Sequence, residues 1–269
     1  MQSAVPLVVG LGEVGSALAQ VLKRSGRILE HDIERRDFDE PVGIMHICFP
    51  FTHQAGFVTA ALSYIERFKP ELTIINSTVV PGTTRAIAEQ TSTPIAYSPV
   101  RGKHARMVDD LLKYRKFVAG SDDTAATRAA EHFREAGMAT QRIDRLETLE
   151  LAKLAETSYF GVLISFAQEL NRYANQVNAD YAEAITFFDE VDFLPPTKYY
   201  PGFIGGHCVI PNIQLLHTIE SSPLLEAVLE SNRLRAEELI SEAEDASSRA
   251  SPPDSAAPRR KPQSQVAPR

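Results

Sequence analysis

VPLVVGLGEVGSALAQVLKRSG, residues 5–26, opens with an apolar run rich in β-branched residues and passes through three glycines into apolar residues at helical spacing. This is the pattern of a strand, a tight turn and a helix. Gly10, Gly12 and Gly15 form G-x-G-x-x-G. In that motif the first glycine makes the turn, the second lets backbone approach a pyrophosphate, and the third lets helix pack on strand. The helix amino end then offers free N–H groups and a positive dipole end to phosphates. RILEHDI, residues 27–33, reads as a second strand, and its Asp32 stands about 20 residues past the glycines, where a carboxylate accepts the ribose hydroxyls of a dinucleotide. Arg35 and Arg36 suit a 2′-phosphate, but Asp32 would repel one, so NAD is favoured over NADP.

Further strand signals follow in GIMHICFP, LTIINST, PIAYSP and KFVAG, with helical stretches between them. The alternation predicts an α/β fold, a Rossmann-type doubly wound parallel sheet over residues 1–145. Cys48 lies inside one apolar run and reads as a small buried hydrophobe. Ser77 and Thr78 follow a strand, at the carboxyl edge where such sheets bind ligands; by position alone they either face a ligand or cap the next helix.

From residue 146 the character changes. LETLELAKLAETSYFGVLISFAQELNRYANQVN predicts one long helix, with Leu151, Leu154, Tyr159, Val162, Phe166 and Leu170 as its core-facing stripe. Lys153 lies beside that stripe, a place where lysine is usually solvated. A helical section near 180–188, a proline- and glycine-rich loop, and a last helix complete a small all-helical domain to residue 240. Residues 241–269, rich in Pro, Ser, Ala and charge, are expected to be a disordered tail.

The chain has 269 residues, a formal charge of −7 and two cysteines, Cys48 and Cys208. That balance gives no basic face for nucleic acid or an anionic membrane, and two isolated cysteines argue against a disulfide framework or a metal site. With no apolar run near the roughly 20 residues of a membrane span and no positively charged leader, a cytoplasmic protein is expected.

Taken in order, GLGEVG, HICFPFT, NSTVVPGTT, YSPVRG, LAKLAETSYFGVLISFAQELNRYA and PGFIGGHCVIPN resemble the successive motifs of the UDP-glucose/GDP-mannose dehydrogenases, from about residue 5 to 240. The resemblance implies NAD-dependent oxidation of a primary alcohol on a sugar or nucleoside-like substrate, through an intermediate bound to Cys208. It makes Lys153 the group that serves the developing alkoxide, Thr78 the hydroxyl that positions a water, and His207 and Asn212 further catalytic residues. Glu13, Val14, Pro50 and Thr52 join the glycines and Asp32 along the cofactor, and the long helix is expected to pair with a second copy in a homodimer. The chain also departs from the family pattern. Val100 stands where a glutamate serves thioester hydrolysis, Thr157 replaces an asparagine and Asn212 an aspartate, and the C-terminal nucleotide-sugar-binding domain is replaced by the expected tail. A single-step hydroxy-acid type dehydrogenase and a non-catalytic dinucleotide-binding protein therefore stand as alternatives.

Overall fold

The computed structural model describes residues 4–34, 38–195 and 197–250. Its sheet has seven strands in the order β2-β1-β3-β4-β5-β6-β7. They are β1 (Val5–Val9), β2 (Leu29–His31), β3 (Val42–Ile47), β4 (Leu72–Ile75), β5 (Ile95–Tyr97), β6 (Lys116–Gly120) and β7 (Thr140–Arg142). The run β2-β1-β3-β4-β5 is parallel. β6 pairs antiparallel with β5, with Tyr97 opposite Ala119, and β7 runs parallel to β6. The expected all-parallel sheet is therefore parallel with one reversal. β6 begins at the end of the sheet where β5 stops, so the β5–β6 connection makes no crossover to the opposite end.

Both faces of the sheet are covered. On one, α1 (Glu13–Leu22), α4 (Met107–Lys113) and α5 (Asp123–Glu135) pack Leu18, Leu22, Leu111 and Phe133 onto Val8, Leu72 and Ile74. On the other, α2 (Gln54–Phe68), α3 (Thr83–Ala88) and the start of α6 (Leu146–Gln176) pack Phe57, Ile65, Ile87 and Leu149 onto Leu7, Met45 and Ile75. Residues buried from both sides explain why the strands read as unbroken apolar runs rather than as alternation. The strand order changes direction between β1 and β3, which opens a crevice at their carboxyl ends.

α6 is the expected long helix. Beyond it come α7 (Tyr181–Ala184), a 3-10 segment Ile185–Glu190, α8 (Val209–His217) and α9 (Pro223–Ala250). A third core joins Ile204, Val209, Ile213, Leu225 and Val228. The stripe expected on α6 is corrected by the structure. Leu154 is buried, but Leu151, Tyr159 and Phe166 are exposed, while Ser158, Gly161, Ser165 and Gln168 face inward. The inner face is built from small and polar residues because α8 approaches closely: a Cβ at Gly161 would lie 2.7 Å from Ile213 Cδ1. The tail expected from Ser241 is helical as far as Ala250, the end of α9. Arg35, Arg36 and residues 251–269 lie outside the described residues.

Candidate active site

Gly10, Gly12 and Gly15 occupy three different environments. Gly10 has a φ of +89°, and a Cβ there would lie 2.7 Å from Phe49 N. At Gly15 a Cβ would be 1.7 Å from the Gly10 carbonyl oxygen, so strand and helix touch there. At Gly12, the N-cap of α1, a Cβ would meet nothing within 4 Å. An open cradle thus lies against the N–H groups of the first turn of α1, a surface suited to phosphate. Val14 turns its side chain to the core, so only its backbone joins that surface. Asp32, just past β2, lines a cavity of about 300 Å³ with Leu11, Ile33 and Glu34. A dinucleotide fits this set: phosphates at Gly12 and Glu13, ribose at Asp32. Pro50 and Thr52 are exposed just past the carboxyl end of β3. Cys48 packs against the core of the sheet, and burial pushes its thiol up to about 12.

Neither Ser77 nor Thr78 is the cap of the next helix, whose N-cap is Gly82. The Ser77 hydroxyl donates to the Phe49 carbonyl at 2.6 Å, which fastens the end of β4 to the end of β3. Thr78 stays half-buried at the crevice edge. Its segment is fixed at the far end by a residue that sequence reasoning passed over. Glu150, completely buried on α6, accepts from Gly82 N at 2.7 Å and Thr84 N at 2.8 Å, the orphan donors of the first turn of α3. Burial raises its carboxyl above the usual range, against the opposing pull of those bonds. Glu150 lies one helical turn before Lys153, so a single side chain ties the Thr78 segment to the helix of Lys153.

Burial lowers the Lys153 amine; Glu156 and the Cys208 sulfur favour its charge, and Arg101 opposes it. Cys208 is exposed and is the N-cap of α8, a helix the loop composition had hidden. Its signal was Pro211, which the first turn of a helix accepts, together with apolar Val209, Ile213 and Leu216. The two departures on either side of the thiol meet: Asn212 Nδ2 donates to Thr157 Oγ1 at 2.9 Å. His207 Nε2 lies 3.9 Å from the Glu13 carboxylate, so the cysteine loop reaches the lip of the glycine cradle.

Val100 is buried in the core. Beneath its segment is another group missed in the sequence, Lys116, whose ammonium donates to the carbonyls of Ser98 at 2.7 Å and Pro99 at 2.9 Å. Its Nζ also lies 5.0 Å from the Phe133 ring centroid. Burial brings its value down to about 7.

Residues 147–234 match the model for the central domain of the UDP-glucose/GDP-mannose dehydrogenase family. Over this third of its length the chain is similar to that family's central domain. The match spans the helix of Lys153, the cysteine loop and the first part of α9. The UDP-N-acetyl-D-mannosamine dehydrogenase of Methanocaldococcus jannaschii is 29% identical over 154 residues, which are 54% of this chain and 36% of that protein. The protein of the same name from Pyrococcus horikoshii is 28% identical over 176 residues, 58% of this chain and 41% of that one. The chain thus aligns with well under half the length of these curated relatives. Among solved structures, UDP-D-ManNAc dehydrogenase from Pyrococcus horikoshii superposes with a TM-score of 0.77 at 20% identity, over 91% of this chain and 72% of that one. A 3-hydroxyisobutyrate dehydrogenase from Mycobacterium tuberculosis superposes with a TM-score of 0.66 at 14% identity, over 89% of this chain and 94% of that one. At these identities the superpositions establish the fold.

Proposed function

We propose that this chain is an NAD-dependent oxidoreductase acting on the CH–OH group of a nucleotide sugar, with Cys208 carrying a bound intermediate. The observation that supports this most is the exposed thiol at the amino end of α8, the helix bonded to α6 through Asn212 and Thr157, beside a loop whose His207 lies 3.9 Å from Glu13 at the glycine cradle. When bound, NAD supplies the oxidising power by accepting hydride from the alcohol carbon.

The protein handles protons and position. Desolvation moves Lys153 toward the neutral amine, the form that takes the hydroxyl proton as the C–H bond breaks, and the ammonium so formed steadies oxyanion charge. The Cys208 thiolate then adds to the aldehyde carbon, forming a C–S bond, while the carbonyl oxygen takes a proton. Loss of a second hydride from that thiohemiacetal, to a second NAD, with its hydroxyl proton passing to the Lys153 amine, leaves a thioester, and water cleaves the C–S bond to release a carboxylate and the thiol. Thr78 positions water at the crevice edge. Asn212, bonded to Thr157, holds the first turn of α8 and its thiol against α6.

A second reading is favoured by one observation. Val100 is packed into the core, and Asn212 is bonded to Thr157, so neither supplies a carboxylate for thioester hydrolysis. Oxidation that stops after one hydride, as in a hydroxy-acid type dehydrogenase, needs no such group. A second copy along the exposed Leu151, Tyr159, Phe166 and Tyr173 of α6, and a cytoplasmic setting, complete the proposal. Among the described residues no helix is long and apolar enough to cross a membrane.

The test is NADH yield per UDP-N-acetyl-D-mannosamine or UDP-glucose consumed, with Cys208→Ser beside wild type. Two NADH per substrate, lost in the variant, is the expected result. One NADH with Cys208→Ser fully active supports the single-step reading, and NAD binding without turnover of any alcohol refutes both.

A further inference from the structure

Four residues before Cys208 the backbone is gripped from both sides by one side chain. Ile204 N donates to Asn232 Oδ1 at 2.8 Å, and Asn232 Nδ2 donates to Ile204 O at 3.1 Å. Two residues earlier, Gly202 O accepts from Gln168 Nε2 at 2.7 Å. The Ser231 hydroxyl donates to Gln168 Oε1 at 3.0 Å, and Arg172 closes the far side with a 2.9 Å bond to the Ser231 carbonyl. Gln168, Ser231 and Asn232 are 1%, 3% and 7% exposed, so these bonds are made away from water, where a missing partner is expensive.

The clamp leaves only Gly205, Gly206 and His207 between Ile204 and the thiol. Gly206 has a φ of +81° and open space around its Cα, so that short span has little rigidity of its own. On the other side of Cys208, Asn212 is tied to Thr157 on α6. The sulfur therefore hangs between two anchors. Asn232, on α9, is the upstream one, and Thr157 and Gln168 belong to the same helix as Lys153.

We propose that Asn232, supported by Gln168, is a positioning residue that sets the place of the Cys208 thiol relative to Lys153. This rests on the reading of Cys208 and Lys153 as partners, so the experiment reads that partnership without substrate or cofactor. The rate of Cys208 alkylation by iodoacetamide is measured on the full chain by peptide mass spectrometry, with Cys48 in the same sample reporting global opening. The Lys153→Met substitution is then introduced into wild type and into Asn232→Ala.

In wild type, removal of the Lys153 amine should slow Cys208 alkylation at least severalfold. In Asn232→Ala, with Cys48 still protected, the same substitution should change the rate less than about twofold. An undiminished effect in Asn232→Ala makes Asn232 merely structural and overturns the proposal. Absence of the effect in wild type overturns it too, and with it the pairing of Cys208 and Lys153, whereas the first failure leaves that pairing intact. If Asn232→Ala exposes Cys48, Asn232→Asp serves instead. Protonated, its carboxyl both accepts from Ile204 N and donates to Ile204 O; ionised, it cannot donate. Below the range in which the thiol itself ionises, the Lys153 effect should then be present at acid pH and lost as the introduced carboxyl ionises, while wild type keeps it over the same range. An effect that stays at wild-type size across that range rejects the proposal.

Discussion

Substituting Gly12 by alanine separates cofactor binding from folding. The residue has φ −64° and ψ −167°, a conformation open to any L-residue, and its Cβ would meet nothing within 4 Å. Alanine is about 0.5–1 kcal/mol worse than glycine at an N-cap and lowers unfolded-chain entropy by a similar amount, so stability should change by less than about 1 kcal/mol. The added methyl instead occupies the cradle and holds the pyrophosphate away from the N–H groups of α1. Losing one or two charge-assisted hydrogen bonds, each about 1.5–3 kcal/mol, weakens NAD binding by about tenfold to about twenty-thousandfold. Gly15→Ala is the counterpart: its Cβ would sit 1.7 Å from Gly10 O, so strand and helix must part and stability itself falls. Thermal unfolding and calorimetric titration with NAD measure the two effects. A Gly12→Ala variant that binds NAD like wild type, or that is destabilised as much as Gly15→Ala, refutes the assignment of the cradle.

Glu150→Ala leaves the N–H groups of Gly82 and Thr84 without their acceptor and should cost about 2–5 kcal/mol in chemical denaturation, with Glu150→Gln losing less than half of that. Lys116 gives a pH signature. Its folded-state value, about 7, lies below the value near 10.4 of an unfolded lysine, so the unfolded chain binds more protons between them and stability rises with pH across that window. In Lys116→Met that part of the rise, about 2–4 kcal/mol, should vanish from the urea midpoints between pH 7 and 10, and parallel curves for the two proteins would show that Lys116 keeps its charge when folded. Gly161→Ala places a methyl 2.7 Å from Ile213 Cδ1 and should cost about 1–3 kcal/mol by separating α8 from α6; an unchanged melting temperature would mean that the two helices adjust freely.

The sheet and cradle were legible because their signals are local: an apolar run, three glycines at fixed spacing and an acid at the end of the next strand. Strand direction is not local, and nothing in KFVAG distinguishes β6 antiparallel from β6 parallel. β7 went unread because TQR is short, polar and at the edge of the sheet. On α6 the usual equation of apolar with buried failed. Close helix packing selects Ser158, Gly161 and Ser165 for the inside and leaves Tyr159 and Phe166 outside. The stretch after Ser241 looked like tail for want of large apolar residues, yet Ala and Glu are good helix formers, and the Arg235–Glu242 pair reaches across that boundary. Cys208, Lys153 and Thr78, the residues proposed for the chemistry, each sit in a short stretch that stands out in the sequence. The residues that hold them, Glu150, Gln168 and Asn232, carry no motif, since their roles appear only when distant segments meet.

The bond between Asn212 and Thr157 also constrains how this site can change. Each side chain answers the other's polarity, so replacing one alone strands its partner at a penalty of about 1–3 kcal/mol. The two positions, 55 residues apart in sequence, are therefore energetically coupled. An acidic group at 212 keeps the bond only by reversing it, with the Thr157 hydroxyl turning from the carbonyls of Lys153 and Leu154 to donate to the new carboxylate, whereas an apolar residue at either position leaves the other without its partner.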